Sequence, residues 1–224
     1  KSYRPEKMET SWQTTRLSRY NSAIEAILVS IMLALSAYLV SWSGPVKWLS
    51  VIPFTAAGLL IGRRLFNKAY NWSVLFRTNT SLLKYCVMGV LMGLAGALYY
   101  RGNYAMPLFP VYFRGFVWIA VCIGCMEELL FRGYVQQQLQ QINPVLGITG
   151  SALAHAGYKA CLFLPPAMAF ITPVWLFFTW SFGAFLLIGT LRYFSKSLWP
   201  PLLVHAVFDL LVYAQNAEAP VWVW

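Results

Sequence analysis

The sequence predicts an all-α, polytopic transmembrane helix bundle of about seven spans, with roughly six to eight as the limits. Of the 224 residues, 59% are hydrophobic and only 11% are charged, and the mean hydropathy is +0.58. A soluble domain carries about 25% charged residues. Several apolar runs approach the roughly 20 residues that a helix needs to cross a bilayer. A membrane protein with one helical domain is therefore expected.

Proline and glycine divide the apolar residues into successive segments. Gly44-Pro45 ends the first segment, and Asn143-Pro144 separates the fourth from the fifth. The fourth is expected to continue as an amphipathic helix to about residue 141. The predicted segments cover about 22–42, 48–62, 82–100, 111–135, 146–163, 171–191 and 198–213, and Pro165-Pro166 ends the fifth.

A single helical domain, over residues 22–216, holds all of these segments. Residues 1–21 are interpreted as a polar, basic N-terminal lead, and residues 217–224 as an aromatic tail suited to the membrane interface. No cleavable signal peptide is expected, because the basic lead is not followed by a small-residue cleavage pattern.

Basic residues are distributed unevenly among the loops. With the N-terminus inside, twelve Lys and Arg fall in the lead, the second loop and the sixth loop, against three in the outside loops. This bias predicts a multi-pass protein with a cytoplasmic N-terminus, which in a bacterium would lie in the inner membrane. The net charge of +10 is explained by basic loops that face anionic lipid. Membrane lipids are therefore expected partners, and nucleic acid is not.

Ionisable side chains lie inside three of the apolar segments. They are Glu127, Glu128 and Arg132 in segment four, His155 in segment five, and His205 with Asp209 in segment seven. A charged group at the bilayer centre costs about 2.5 kcal/mol or more. Counted from the predicted inner ends, Glu127, His155 and His205 lie roughly 10–14 Å deep at 1.5 Å per residue. Three helices are therefore expected to bring these groups into one layer, as a single site.

Helical spacing predicts how these groups pair. Glu128 and Arg132 are i,i+4 neighbours, so they share a face and form an ion pair. Glu127 points about 100° away and is expected to be left free to react. His205 and Asp209 are also i,i+4, so Asp209 either orients the imidazole or stands beside it as a second group of the site.

Two hydrolytic chemistries fit one carboxylate and two imidazoles. In the first, Glu127, His155 and His205 hold Zn²⁺ or another divalent metal with an open position for water. In the second, which needs no cofactor, Glu127 acts as general base on a water while the imidazoles position it and stabilise an oxyanion. Lys159, one turn past His155, is expected to snorkel or to form an ion pair rather than to catalyse.

Two further patterns are interpreted as helix packing. Gly89, Gly93 and Ala97 recur every four residues, which is typical of a helix face that approaches a neighbour closely. Cys122 and Cys125 form a lone C-x-x-C in an apolar segment, where small residues in a helix contact are favoured over a metal or redox pair.

The motifs resemble those of a known family. The run E-E-L-L-F-R-G at 127–133 is similar to the E-E-x-x-x-R motif, in its E-E-x-x-F-R-G form, of the CAAX prenyl protease, Abi and bacteriocin-processing family of intramembrane endopeptidases. His155 resembles the histidine of that family's second motif, and H-A-V-F-D at 205–209 resembles its H-x-x-x-Asn/Asp motif. The resemblance covers about residues 115–213, the expected catalytic core.

The resemblance implies a helical membrane endopeptidase whose site opens to the cytosolic side. Its substrates would be prenylated CAAX-type tails, which lose their last three residues in the eukaryotic branch, or bacteriocin-like peptides. Glu127 would be the general base, and His155 would help to hold the water. His205 and Asp209 would stabilise the oxyanion or shape the site. Glu128 completes the set of candidate catalytic residues, and Arg132 is its structural support.

Two positions depart from the family pattern. Ser151 stands where the second motif usually has phenylalanine, so one wall of the pocket is altered. Asp209 stands where asparagine is common, and an ionised aspartate cannot donate a hydrogen bond to an oxyanion. Asp209 must therefore be protonated, orient His205 or bind a metal.

The sequence also bears on other functional classes. The H-E-x-x-H and G-x-S-x-G patterns are absent from the sequence, and an aspartyl protease would need a second membrane aspartate. A non-catalytic regulatory or self-immunity protein of the same fold is the main alternative. A small transporter with a proton relay is a third, weakened by the lack of an internal repeat. The oligomeric state is not predicted.

Overall fold

The computed structural model describes residues 6–66, 75–164 and 173–218, with side chains from residue 18 onward. Within these ranges every regular element is helical, so the predicted all-α class is confirmed. The elements are α1 (Glu6–Val40), a 3₁₀-helix (Gly44–Ser50) that leads into α2 (Val51–Phe66), α3 (Leu82–Asn103), α4 (Phe116–Glu128), a π-helix (Leu129–Val135), α5 (Gln136–Gln140), α6 (Pro144–Cys161), α7 (Val174–Ser195) and α8 (Trp199–Val212).

The described helices correspond, in order, to the seven predicted segments. Helices that follow one another without a break, such as α4, the π-helix and α5, are counted together as one rod. The rods over 18–40, 44–66, 82–103 and 174–195 are long and apolar enough to cross a membrane. α8 is apolar but shorter. The rod from α4 to α5 and the α6 rod carry the predicted polar groups, which explains why composition marks them less strongly.

The helix ends differ from the predicted ones in several places. α1 begins at Glu6, well before the predicted start near Ser22, so the part of the lead that is described continues the first helix. α2 extends to Phe66, past the predicted end at Gly62. Residues 1–5, part of the second loop (67–74), the predicted stop at 165–166 within 165–172, and most of the aromatic tail (219–224) lie outside the described residues.

Large apolar side chains cover the outside of the bundle. Ile31 is 58% exposed, Leu59 69% and Leu187 63%. A soluble protein rarely exposes apolar patches of this extent, whereas lipid tails solvate them at no cost. Glu128, Arg132 and other polar groups are instead buried inside. This arrangement, with the long apolar helices, is that of an integral membrane protein.

The small-residue face of α3 packs against α8, as predicted. Gly89 lies against the Pro200 carbonyl, and Gly93 lies against the backbone of Val204, the residue immediately before His205. Ala97, on the same face, is fully buried. Because the two backbones approach so closely, α3 fixes the position of the helix that carries two of the predicted site residues.

Substitution of Gly93 by alanine is expected to destabilise the bundle by about 1–3 kcal/mol, because the added methyl group would overlap the Val204 backbone. Thermal unfolding in detergent measures the effect. Gly58→Ala on α2 is the matched control, since an added Cβ there meets nothing within 4 Å. Equal unfolding temperatures for both variants would show that α3 and α8 do not pack through this face.

Apart from the predicted site residues, a buried ionic cluster connects α1 and α2 to the π-helix. The guanidinium of Arg64 on α2 donates to both carboxylate oxygens of Glu25 on α1, at 2.9–3.0 Å from Nε. The hydroxyl of Tyr134 donates to Glu25 Oε1 at 2.7 Å. Tyr134 lies two residues past Arg132, so this cluster holds the π-helix that carries the charged motif. Glu25 is a buried acid of segment one that the sequence interpretation overlooked.

Candidate active site

The predicted site residues come from three packed helices. Glu127 and Glu128 end α4, and Arg132 lies on the π-helix that follows without a break. A π-helix is wider than an α-helix, and such turns often occur at functional sites. The sequence predicts one continuous helix here and gives no sign of this π-helix. Its widened turn changes the direction in which the residues after Glu128 project.

The two partner helices are positioned by their first turns. Asn143 caps α6, its side chain accepting from Val145 N at 2.7 Å, and Pro144 occupies the first turn. α8 begins at Trp199, with prolines in its first turn. α4 packs against α8, and α6 packs against the π-helix. His155 from α6 and the polar groups of α8 thereby reach the end of α4.

Glu127 is buried and contacts three basic side chains. Its Oε2 lies 3.0 Å from His155 Nε2 and 3.7 Å from His205 Nε2. Its Oε1 forms an ion pair with the ammonium of Lys159. The expectation that Glu127 would be left free was wrong. Its side chain points away from Glu128, but it contacts the basic side chains of two other helices. Lys159 was expected to snorkel or to form an ion pair, and it forms the ion pair.

Glu128 forms the predicted ion pair and a second contact. Its Oε1 lies 3.2 Å from Arg132 Nη1 and 3.0 Å from His205 Nδ1. Both Glu128 and Arg132 have no solvent exposure. Glu128 therefore orients His205 from the Nδ1 side. Orientation of the His205 imidazole was one of the roles expected of Asp209. Asp209 lies on the other side of the ring, with Oδ2 at 4.0 Å from Nε2.

Arg132 determines the tautomer of His155. Its Nη1 contacts His155 Nδ1, and its Nη2 donates to the Phe185 carbonyl at 3.4 Å. A guanidinium has donors only, so Nδ1 of His155 must accept the hydrogen bond. The ring proton is then on Nε2, which donates to Glu127 Oε2. His155 is thus a neutral donor that holds the Glu127 carboxylate.

Two phenylalanine rings enclose the imidazole of His155. Phe131 stacks on one side with centroids 4.2 Å apart, and Phe185 stacks with centroids 3.7 Å apart and an angle of 4° between the planes. Phe185 was not predicted, because nothing in its spacing separates it from the other aromatic residues of segment six. Ser151, one turn before His155, donates to the Ile148 carbonyl at 3.2 Å. Both rings that stack on His155 therefore come from other helices.

Gly124 is a further site residue that the sequence interpretation missed. A Cβ at this position would overlap Asp209 Oδ2 and would lie 2.8 Å from His205 Cδ2. The glycine therefore lets α8 bring His205 and Asp209 against α4, one turn before Glu127 and Glu128. Its place between Cys122 and Cys125 was the available signal. Cys122 is exposed and Cys125 is half-buried, and both are free thiols.

The predicted metal ligands do not form a metal cage in this arrangement. Among the residues that the structure describes, no group of three or more His, Cys, Asp or Glu is spaced to hold an ion. The Lys159 ammonium takes a position beside Glu127, and Nε2 of His155 carries the proton that points at the same carboxylate. The metal site of Glu127, His155 and His205 stays a prediction.

Fold and site together are those of a helical membrane protein with a buried carboxylate–imidazole centre. Residues 109–211 match the family model described as type II CAAX prenyl endopeptidase Rce1-like. This region contains every predicted site residue, and the match confirms the resemblance stated from the motifs. Comparison with curated proteins and with solved structures gives no match.

Proposed function

We propose that this protein is an intramembrane endopeptidase that hydrolyses peptide bonds at a catalytic cluster formed by Glu127, His155 and His205. The observation that carries the proposal is that Glu127 Oε2 faces the Nε2 atoms of both His155 and His205, at 3.0 and 3.7 Å. A carboxylate held by imidazoles is a suitable general base for a water. Its burial excludes bulk solvent, which strengthens every electrostatic contact inside the site.

The reaction follows from these groups. Glu127 removes a proton from a water, and the resulting hydroxide attacks the carbonyl carbon of the peptide bond. The carbonyl oxygen becomes an oxyanion. The carbon–nitrogen bond then breaks, and the proton held by Glu127 passes to the leaving amine. One water is consumed, and the products are a carboxylic acid and an amine.

His155 and His205 have different parts in this mechanism. His155 donates to Glu127 through Nε2 and so directs the carboxylate. His205 is the more accessible ring, with 12% of its side chain exposed, and Glu128 fixes its Nδ1 side. A proton on Nε2 would make His205 a donor to the oxyanion. Asp209, on the Nε2 side, shapes the space in which that oxyanion forms.

Lys159 is a positioning residue for Glu127. By holding Oε1 it leaves Oε2 directed at the imidazoles. Lys159→Met is therefore expected to lower kcat by about ten- to hundredfold with little change in KM, because the base is misplaced rather than removed. Lys159→Arg should restore most of the rate. Steady-state cleavage by both variants measures the effect, and equal losses in both would refute the role of the charge.

The proposed topology places the N-terminus in the cytoplasm and opens the site to the cytosolic side. Twelve basic residues in the proposed inside segments support it. Accessibility labelling of single cysteines introduced at Lys84, in the first turn of α3, and at Lys47, in the 3₁₀-helix before α2, tests it, since these exposed positions are assigned to opposite faces. Labelling of both from the same side would overturn the orientation.

The proposed substrates are prenylated CAAX-type tails or bacteriocin-like peptides. The family match supports the first group. The test is cleavage of matched synthetic peptides by the purified protein in vesicles: a prenylated tail, the same tail without the prenyl group, and a bacteriocin-type leader. Selective cleavage of the prenylated tail is expected. Cleavage that ignores the prenyl group would assign the protein to peptide processing.

Metal dependence is tested separately from cleavage. The predicted ligands His155 and His205 would supply imidazole nitrogens, and Glu127 an oxygen, to a Lewis-acidic ion. Elemental analysis of the purified protein, with turnover measured before and after chelation, distinguishes the two chemistries. We expect turnover to survive chelation. Loss of a stoichiometric metal together with turnover would favour the metal-dependent scheme.

One observation favours a second function. Lys159 forms an ion pair with the Glu127 carboxylate. A non-catalytic regulatory or self-immunity protein of this fold could keep this ion pair permanently, because it would not need the carboxylate to react. Such a protein would tolerate Glu127→Gln, because the amide preserves shape and hydrogen bonding to His155. A complementation assay in cells that lack the protein separates the candidates: normal function of Glu127→Gln would support the regulatory protein and contradict the protease.

A further inference from the structure

A basic cavity lies at the end of α7, apart from the catalytic cluster. Its volume is ≈ 360 Å³, and its lining consists of Gln140, Arg192, Tyr193, Phe194 and Lys196. Two of these residues are cations and none is an acid. Arg192 is only 7% exposed, whereas Lys196 is exposed. A buried guanidinium and a surface ammonium thus face the same space.

Exposed aromatic residues indicate the depth of this cavity. Phe194 is 60% exposed, Tyr193 38%, and Trp199 at the start of α8 46%. Aromatic residues with neighbouring cations are typical of the level of the lipid headgroups. Phe185, which stacks on His155, precedes Arg192 by two turns of α7, or about 10 Å. The cavity is therefore at the membrane surface, with the catalytic cluster deeper in the bundle.

Packed side chains separate the cavity from the catalytic cluster. The amide of Gln136 donates to the Gly189 carbonyl at 2.9 Å. This hydrogen bond joins α5 to α7 between the cavity and the catalytic cluster. Ile188, the residue before Gly189, is only 6% exposed. The cavity is thus not a continuation of the catalytic site.

We propose that this cavity binds the phosphate of an anionic phospholipid headgroup. A guanidinium offers paired donors that match phosphate oxygens, and Lys196 adds charge from the solvent side. The buried Nε2 of Gln140 has no hydrogen-bond partner among the described residues, so it is a donor available to a third oxygen. Phe194 and Tyr193 lie where the acyl chains would leave the headgroup.

Binding of spin-labelled phosphatidylglycerol to the purified full-length chain in micelles tests this proposal, with phosphatidylcholine as the neutral comparison. Lys196→Gln is expected to weaken phosphatidylglycerol binding about fivefold, and Arg192→Gln with Lys196→Gln about thirtyfold. Phosphatidylcholine binding should not change. The matched control is Arg77→Gln with Lys84→Gln, two exposed cations outside the cavity, which should alter binding less than about twofold.

Three results would overturn the proposal. Equal losses in the control and in the cavity variant would show a general effect of surface charge. Displacement of the labelled lipid by millimolar inorganic phosphate would assign the cavity to a soluble anion. If the buried Arg192 variant fails to fold, Lys196→Gln and Gln140→Leu carry the test, and wild-type affinity in both would refute it. The readout is lipid binding, so it is independent of any peptidase activity.

Discussion

Glu127→Gln is expected to lower kcat for peptide hydrolysis by about a thousandfold, within the range of general-base catalysis. The amide has the shape of the carboxylate and can still accept from His155 Nε2, so the site should stay assembled. It cannot take a proton from water, so the chemical step is lost while substrate binding is kept. Turnover and KM in reconstituted vesicles measure both effects.

Glu25→Gln is the matched control for this substitution. Glu25 is also a buried acid paired with an arginine, but it binds Arg64 and Tyr134 rather than the catalytic cluster. Its glutamine variant can still accept from the Tyr134 hydroxyl, so turnover within about threefold of wild type is expected. Wild-type turnover by Glu127→Gln would rule out Glu127 as the base.

Arg132→Met is expected to reduce the free energy of unfolding by about 3–5 kcal/mol and to abolish turnover. The substitution leaves Glu128 as a buried charge without its guanidinium, and it removes the donor to His155 Nδ1. The tautomer of His155 is then no longer fixed, so its donation to Glu127 is lost as well. Denaturation in detergent and cleavage assays measure the two effects.

Arg64→Met provides the comparison for Arg132→Met. Arg64 pairs with Glu25, but its side chain is 17% exposed, so solvent screens the charges that remain. A smaller loss of stability with turnover retained is expected. If Arg132→Met unfolds at the same temperature as wild type, the buried guanidinium does not hold the site together.

Much of the fold was predictable, because lipid imposes simple requirements on sequence. Apolar runs and the breaks at Gly44-Pro45 and Asn143-Pro144 give the helices and several of their ends. The Glu128–Arg132 pair follows from spacing alone. The same holds for the face of α3 around Gly93, because small residues at four-residue intervals allow helices to approach.

The contacts that complete the site were not predictable in this way. Phe185 stacks on His155 across two helices, and Gly124 admits His205, so both depend on the rotation of neighbouring helices about their axes. The π-helix after Glu128 changes that rotation, and no residue type marks it. For the same reason spacing suggested a free Glu127, although a residue from another helix pairs with it.

The most direct test of the proposed base is a comparison of kcat among Glu127→Gln, His155→Gln and the double variant in vesicles. His155 acts through Glu127, so the double variant should turn over no more slowly than Glu127→Gln alone. His155→Gln alone should lose about a hundredfold, consistent with a misplaced base. If the two losses multiply in the double variant, His155 does not act through Glu127. If Glu127→Gln cleaves at the wild-type rate, Glu127 is not the base.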